Sequence, residues 1–241
     1  MAISDTYTFN MDVSELVEEA YERAGLELRT GYDLRTARRS MNILMLEWQN
    51  KGLNLWTIEE SSNPISLVKS TATDDIDVGT IGLLDVVLRT NDGSVTSQTD
   101  YLLNRIAEPT YANIPNKLTE ARPLQYWFQR IEILDISAVA DRKSSLTLWP
   151  VPDKSSTYKI YYWRVKRIAD VGDSAGNTME VPGRFLPSLV AGLAYQIASK
   201  RPEAAGRVGM LKQQYDELFQ EAADEDRVKT SARFVPGLSY Y

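Results

Sequence analysis

The side chains whose types and spacing could do chemistry are mostly acidic or aromatic. Asp74-Asp75-Ile76-Asp77 opens like a calcium-binding EF-hand loop. The glycine and closing glutamate do not fall where that loop needs them, so a solvated loop is the favoured reading. The polar stretch 170–177 (DVGDSAGN) has the same standing. Glu59-Glu60 could supply half of a glycosidase-like carboxylate pair. Nothing in the sequence sets a second acid across a cleft from them, and charge runs are usually solvated faces. Tyr126-Trp127-Phe128 and Tyr161-Tyr162-Trp163 could stack sugars or bases. Strand alternation puts Tyr126 and Phe128 on one face and Trp127 on the other, and core packing accounts for one of those faces outright.

What is missing narrows the chemistry further. The chain has 241 residues, with no histidine and no cysteine. That removes the usual general base, the serine–histidine triad, thiol nucleophiles, disulfides and ordinary zinc ligation. No catalytic residue, metal or cofactor site is expected, because no motif supplies nucleophile, base and orienter together. The net charge is −6. No basic patch of the kind that grips DNA phosphates is evident. The N-terminus does not read as a signal peptide, and the apolar run at 189–198 is too short to cross a bilayer.

The elements around these residues form a pattern. Asp12 with Glu15 predicts a capped helix start, and Gly25 a stop, around the stripe Val13, Leu16, Val17, Ala20, Tyr21 and Ala24. A second helix is expected over 33–51, with Leu34, Ala37, Met41, Leu44, Met45 and Trp48 on one face and Gly52 ending it. Alternation then predicts a strand over 53–58. Loop signals fill 70–75. Strands are expected at 83–89, 96–103, 124–136, 145–149 and 158–165, with a hairpin turn at Asn91-Asp92-Gly93. Residues 104–113 are ambiguous, since Pro109 would interrupt a helix there. Helices resume with the stripe from Phe185 to Ile197 and end in one from about 203 to 224.

The expected fold class is α+β: a discontinuous four-helix bundle with an inserted antiparallel β barrel or sandwich and an extended C-terminal tail. The expected divisions are 1–56 and 179–224 for the helical halves, 57–178 for the β insertion and 225–241 for the tail. That tail carries Arg233, Phe234, Pro236, Leu238, Tyr240 and Tyr241 without helical period. Aromatic and arginine residues are the anchors expected at protein interfaces.

The second helix and its exit read roughly A-x3-LN-x4-EW-x3-G-x2-LW, carried by Ala37, Met41, Asn42, Glu47, Trp48, Gly52, Leu55 and Trp56. This opening resembles that of head-to-tail adaptor (connector) proteins of short-tailed bacteriophages, with Met41 in place of the commoner leucine. The stretches LTLWPVPD (146–153) and YKIYYWR (158–164), and the helix after Pro187, are also similar. The resemblance implies a structural virion protein at the head-to-tail interface, assembled in the host cytoplasm. It would form a homo-oligomeric ring of roughly twelve subunits, a closed heterologous assembly. Its implied partners are the portal protein, docked by the C-terminal tail, and a tail nozzle or hub protein. Genomic DNA would pass through without sequence-specific binding, and no membrane is involved. Within such a ring, Arg35, Arg38 and Arg39 read as a subunit seam matched to Glu18, Glu19 and Glu22, beside the plainer reading of a solvated helix face. The alternative function is a carbohydrate-binding or hydrolytic β module on a helical scaffold. Another ring component of the virion, such as a head-completion protein, is a third.

Overall fold

Asp12 opens α1 (Val13–Ala24) with the predicted capping box. Its carboxylate accepts the Glu15 N–H at 2.9 Å, and the Glu15 carboxylate accepts the Asp12 N–H at 3.0 Å. Gly25 ends the helix with φ 73°, a conformation glycine adopts without strain. The computed structural model describes residues 9–29, 31–51, 55–130, 144–172 and 176–226. Among these, α2 (Gly31–Asn50) follows α1, and Gly52 lies outside the described residues.

Of the strand expected over 53–58, only Ile58 is in a strand among the described residues. Residues 53 and 54 lie outside the described set, Leu55–Thr57 is a 3-10 turn, and β1 covers only Ile58–Glu60. The cause is tertiary. The Leu55 N–H donates to the Asp226 carboxylate at 2.7 Å, and the Trp56 ring packs 6.1 Å from Phe185, which together bend the chain.

After β1 come β2 (Ile65–Ser66), β3 (Thr73–Asp75), β4 (Thr80–Thr90), β5 (Thr99–Leu102) and β6 (Asn104–Arg105). Then follow α3 (Glu108–Ala112), β7 (Gln125–Gln129), β8 (Ser145–Trp149) and β9 (Tyr158–Lys166). The chain closes with α4 (Leu186–Ala198), a 3-10 stretch over Pro202–Arg207, and α5 (Val208–Glu225). The protein is thus mixed α+β, with five helices and two sheets among the described residues. None of those helices is long and apolar enough to cross a membrane.

The chain divides into two compact units, Thr57–Arg167 on one side and Met1–Trp56 with Ile168–Tyr241 on the other. In the β unit the first sheet runs β1-β9-β4-β5, with β2 also pairing β9, and the second runs β3-β8-β7-β6. Val86, Leu88, Ile160 and Tyr162 of the first sheet and Tyr126, Phe128, Leu146 and Leu148 of the second belong to one apolar cluster. No closed barrel forms among the described residues. Closure needs a ladder joining the sheet edges, and here the chain passes from one sheet to the other at buried Leu103 instead.

The structure departs from local sequence signals or resolves them in three places. Residues 73–75 form a strand rather than a loop, because β8 supplies a partner (Thr73↔Thr147, Asp75↔Ser145) and an edge strand tolerates acids. The turn at 91–93 widens, with pairing resuming at Thr90↔Thr99. The expected turn itself forms, closed by the Ser94 N–H donating to the Asn91 carbonyl at 3.0 Å, and within it the Asp92 carboxylate accepts from Lys159 at 2.7 Å and from the Tyr161 hydroxyl at 3.1 Å. Pro109 sits in the first turn of α3, where its missing N–H is harmless.

Glu59 of β1 carries the main ion pair across β9. Arg164 Nε donates to it at 3.0 Å, and Lys166 lies at 3.2 Å. Burial works against the charge, but the hydrogen bonds from Arg164 and Lys166 outweigh it and hold the carboxyl below its ordinary 4.5. A depressed folded pKa gives stability that is present above the unfolded value and lost as pH falls through the folded one. Glu59→Gln is therefore expected to cost about 1 kcal/mol at neutral pH and to flatten the acid limb below pH 4.5. Thermal melts of both proteins between neutral pH and pH 3 check this.

In the helical unit α1, α2, α4 and α5 share one apolar core with Trp48, Phe185, Leu193 and Leu211 inside it. α4 is tightly packed at Gly192, where an added Cβ would lie 2.8 Å from Leu44 Cδ2 and 2.9 Å from the Tyr215 ring. Leu44 could turn aside, but Tyr215 is fixed by its hydroxyl partners. A mid-helix Gly→Ala change normally gains up to about 1 kcal/mol of helix propensity. Here overpacking of about 1–3 kcal/mol outweighs it. Gly192→Ala is expected to lower the melting temperature, and a raised one would show that the packing relaxes.

Candidate interaction site

The motif of the second helix is spent on joining distant parts of the helical unit. Ala37 and Met41 are fully buried against α4 and its neighbours. The Asn42 side-chain oxygen accepts the Val171 N–H at 3.0 Å, which ties α2 to the segment leading into α4. Trp48 Nε1 donates to the Tyr215 hydroxyl at 2.9 Å. Lys51 Nζ reaches the same hydroxyl at 2.9 Å and Glu47 at 2.9 Å, and the hydroxyl donates to Glu47 at 3.3 Å. Lys51 also lies 4.4 Å over the Phe219 ring. Burial disfavours its charge, yet the bonds to Tyr215 and Glu47 prevail and raise its pKa. Leu55 and Trp56 complete the motif through Asp226 and Phe185.

The chemistry-bearing stretches of the sequence are absorbed by structure. Among the described residues no cluster of three or more acidic side chains is placed to hold a metal ion. Asp74 is half-buried on β3, where burial and then Asp75 raise its pKa. Asp77 accepts the Tyr162 hydroxyl at 3.0 Å, and burial pushes that tyrosine up to about 12. Glu60 stands opposite Trp163 in the β1–β9 ladder. Asn177 donates to the Val171 carbonyl at 3.1 Å, and its own carbonyl accepts the Val13 N–H, so Asn177 braces the start of α1. Tyr126, Phe128 and Tyr162 are core residues. On the outer sides, Trp127 stacks on Tyr111 at 5.5 Å and Tyr161 is covered by Arg89 at 4.0 Å. A hollow of about 400 Å³ beside Trp127 is lined by Arg105 and Glu108.

A profile of SU10 adaptor proteins matches residues 11–236. The chain belongs to the SU10 adaptor protein family. No curated protein matches it. Membership bears out the likeness to phage head-to-tail adaptors read from the α2 motif, and it makes the protein a phage structural adaptor at the level of the family.

What an adaptor presents to others is its surface. Arg35 and Arg39 are exposed on α2, Arg38 is half-buried and already interacts within its own chain, and Glu18 and Glu22 are exposed on α1. Glu19 is engaged by Arg23 at 2.8 Å. Arg233, Phe234, Pro236, Leu238, Tyr240 and Tyr241 lie outside the described residues. The sequence reading passed over Asp226, a buried acid paired with Arg184 at the end of α5. It also passed over Tyr32, Ile43 and Leu46, large and exposed on α2. Their signal was there: apolar side chains off the buried stripe of an amphipathic helix.

Proposed function

We propose that this adaptor is a structural, non-enzymatic virion component that joins the portal to the tail as a ring and lines part of the DNA channel. The helical halves form a four-helix bundle that carries the ring. The β unit faces a tail nozzle or hub protein, and residues 225–241 dock into the portal. Genomic DNA passes without sequence readout, in keeping with a net charge of −6 that repels phosphates. The observation that carries this reading is the reach of the family match, which covers both helical halves, the β unit and the tail as far as Pro236. Docking through an aromatic tail ties assembly to the correct site, because any ordering cost is met there.

Removing residues 234–241 is expected to abolish binding to purified portal while leaving the helical circular dichroism and the unfolding midpoint unchanged. Portal capture by the shortened protein at full strength would overturn the tail's role.

A further inference from the structure

The outer face of α2 is composed like an interface. Tyr32, Arg35, Arg39, Ile43 and Leu46 are all exposed. At 3.6 residues per turn they fall within about a quarter of the helix circumference. They run along most of a 20-residue helix, about 30 Å in length. Tyrosine, arginine and aliphatic side chains in one stripe make the mixture found at the centres of protein interfaces. Arg35 and Arg39 have no ion-pair partner among the described residues. Lys200 adds to this charge: its ammonium donates to the hydroxyl of Ser40, the neighbour of Arg39 on α2, and is depressed by burial first and by Arg39 second. Uncompensated positive charge at this spot calls for an anion from elsewhere.

The same chain carries one. On α1, Glu15, Glu18 and Glu22 share the exposed face. The Glu15 carboxylate is occupied by the Asp12 N–H and Glu19 by Arg23, which leaves Glu18 and Glu22 to act outward. Among the described residues no ion pair joins this acidic face to the α2 stripe within one copy.

We infer that the α2 stripe of one copy (Tyr32, Arg35, Arg39, Ile43, Leu46, with Lys200 at its edge) receives the α1 face of a second copy through Glu18 and Glu22. This rests on the ring reading above and gives it an interface. Two different patches meeting head to tail leave each copy with one free patch of each kind, which is what ring growth requires. Arg38 is not part of the contact, because it is engaged at home.

Two variants test it: Arg35→Glu with Arg39→Glu, and Glu18→Lys with Glu22→Lys. Each alone sets like charges against each other at every contact. Self-association by sedimentation at low salt, and zero-length carboxyl–amine cross-linking of Lys200 to Glu18 or Glu22 in wild-type protein mixed from ¹⁴N and ¹⁵N cultures, are the readouts. The expected result is isotopically mixed cross-links in wild type, a loss of about tenfold or more in association for each variant, and recovery when the two variants are mixed in equal amounts. Ile43→Asp with Leu46→Asp should weaken association without restoring it in any mixture. Absence of mixed cross-links, or no recovery on mixing variants whose melting curves match wild type, overturns the proposal. So does binding of a DNA duplex that Arg35→Glu with Arg39→Glu abolishes. The protein without residues 234–241 should cross-link as wild type does, so failure of portal docking and failure of this contact are told apart.

Discussion

Trp48→Ala is expected to remove about 4 kcal/mol from the stability of the helical unit. Trp48 is fully buried, with its ring 5.6 Å from Phe185 and 5.5 Å from Phe219. It therefore links α2 to the entry of α4 and to α5 at once. Truncation loses the transfer energy of the largest side chain in this core and leaves a cavity that three helices cannot easily close. The indole N–H adds a smaller part. Its loss costs about 1 kcal/mol, because the Tyr215 hydroxyl keeps Lys51 and Glu47. Trp48→Phe separates the two: it keeps most ring contacts and should lose roughly 1–2 kcal/mol. Guanidinium unfolding followed by helical circular dichroism measures both. Equal losses for Ala and Phe would mean that the hydrogen bond, not packing, holds the corner. Against a total of about 5–15 kcal/mol for a natural domain, the Ala variant sits near the edge of folding.

The legible parts of this fold were those with local causes. The start and stop of α1 follow from Asp12, Glu15 and Gly25, three side chains that act within one turn of themselves. The strands β4, β8 and β9 follow from alternation and bounding turns. What escaped was set by partners far along the chain. Residues 73–75 look like a loop until β8 offers them a ladder. The bend after Trp56 depends on Asp226, which lies 171 positions from Leu55. The α2 motif was visible as a pattern, but its physics was not: Asn42 and Trp48 gain meaning only from Val171 and Tyr215. For the interaction site, the arginines and glutamates could be named from charge alone. Which of them are already satisfied within one copy required the structure, as Glu19 with Arg23 illustrates.

Arg184→Ala is the second change with a large expected effect, about 3 kcal/mol or more. Asp226 is buried, its side chain 2% exposed, and two groups satisfy it: the Leu55 N–H and the Arg184 guanidinium. Removing the guanidinium leaves a carboxylate in an apolar corner with one neutral donor, which is the costly way to break a buried pair. Removing the acid is cheaper, since Arg184 is 39% exposed and can turn to water. Asp226→Asn keeps an acceptor for Leu55, so it should lose only about 1–2 kcal/mol. Arg184→Lys keeps the charge without the planar fork and should fall between the two. The order Ala, Lys, Asn in falling cost is the test by thermal unfolding, and an Asn variant as damaged as Arg184→Ala would contradict it. Asp226 is also where α5 gives way to the tail, so this pair fixes the point from which residues 227–241 depart. If those residues dock as proposed, Arg184→Lys should weaken portal capture at temperatures where the protein is still fully folded. A loss confined to unfolding conditions would limit the pair to stability.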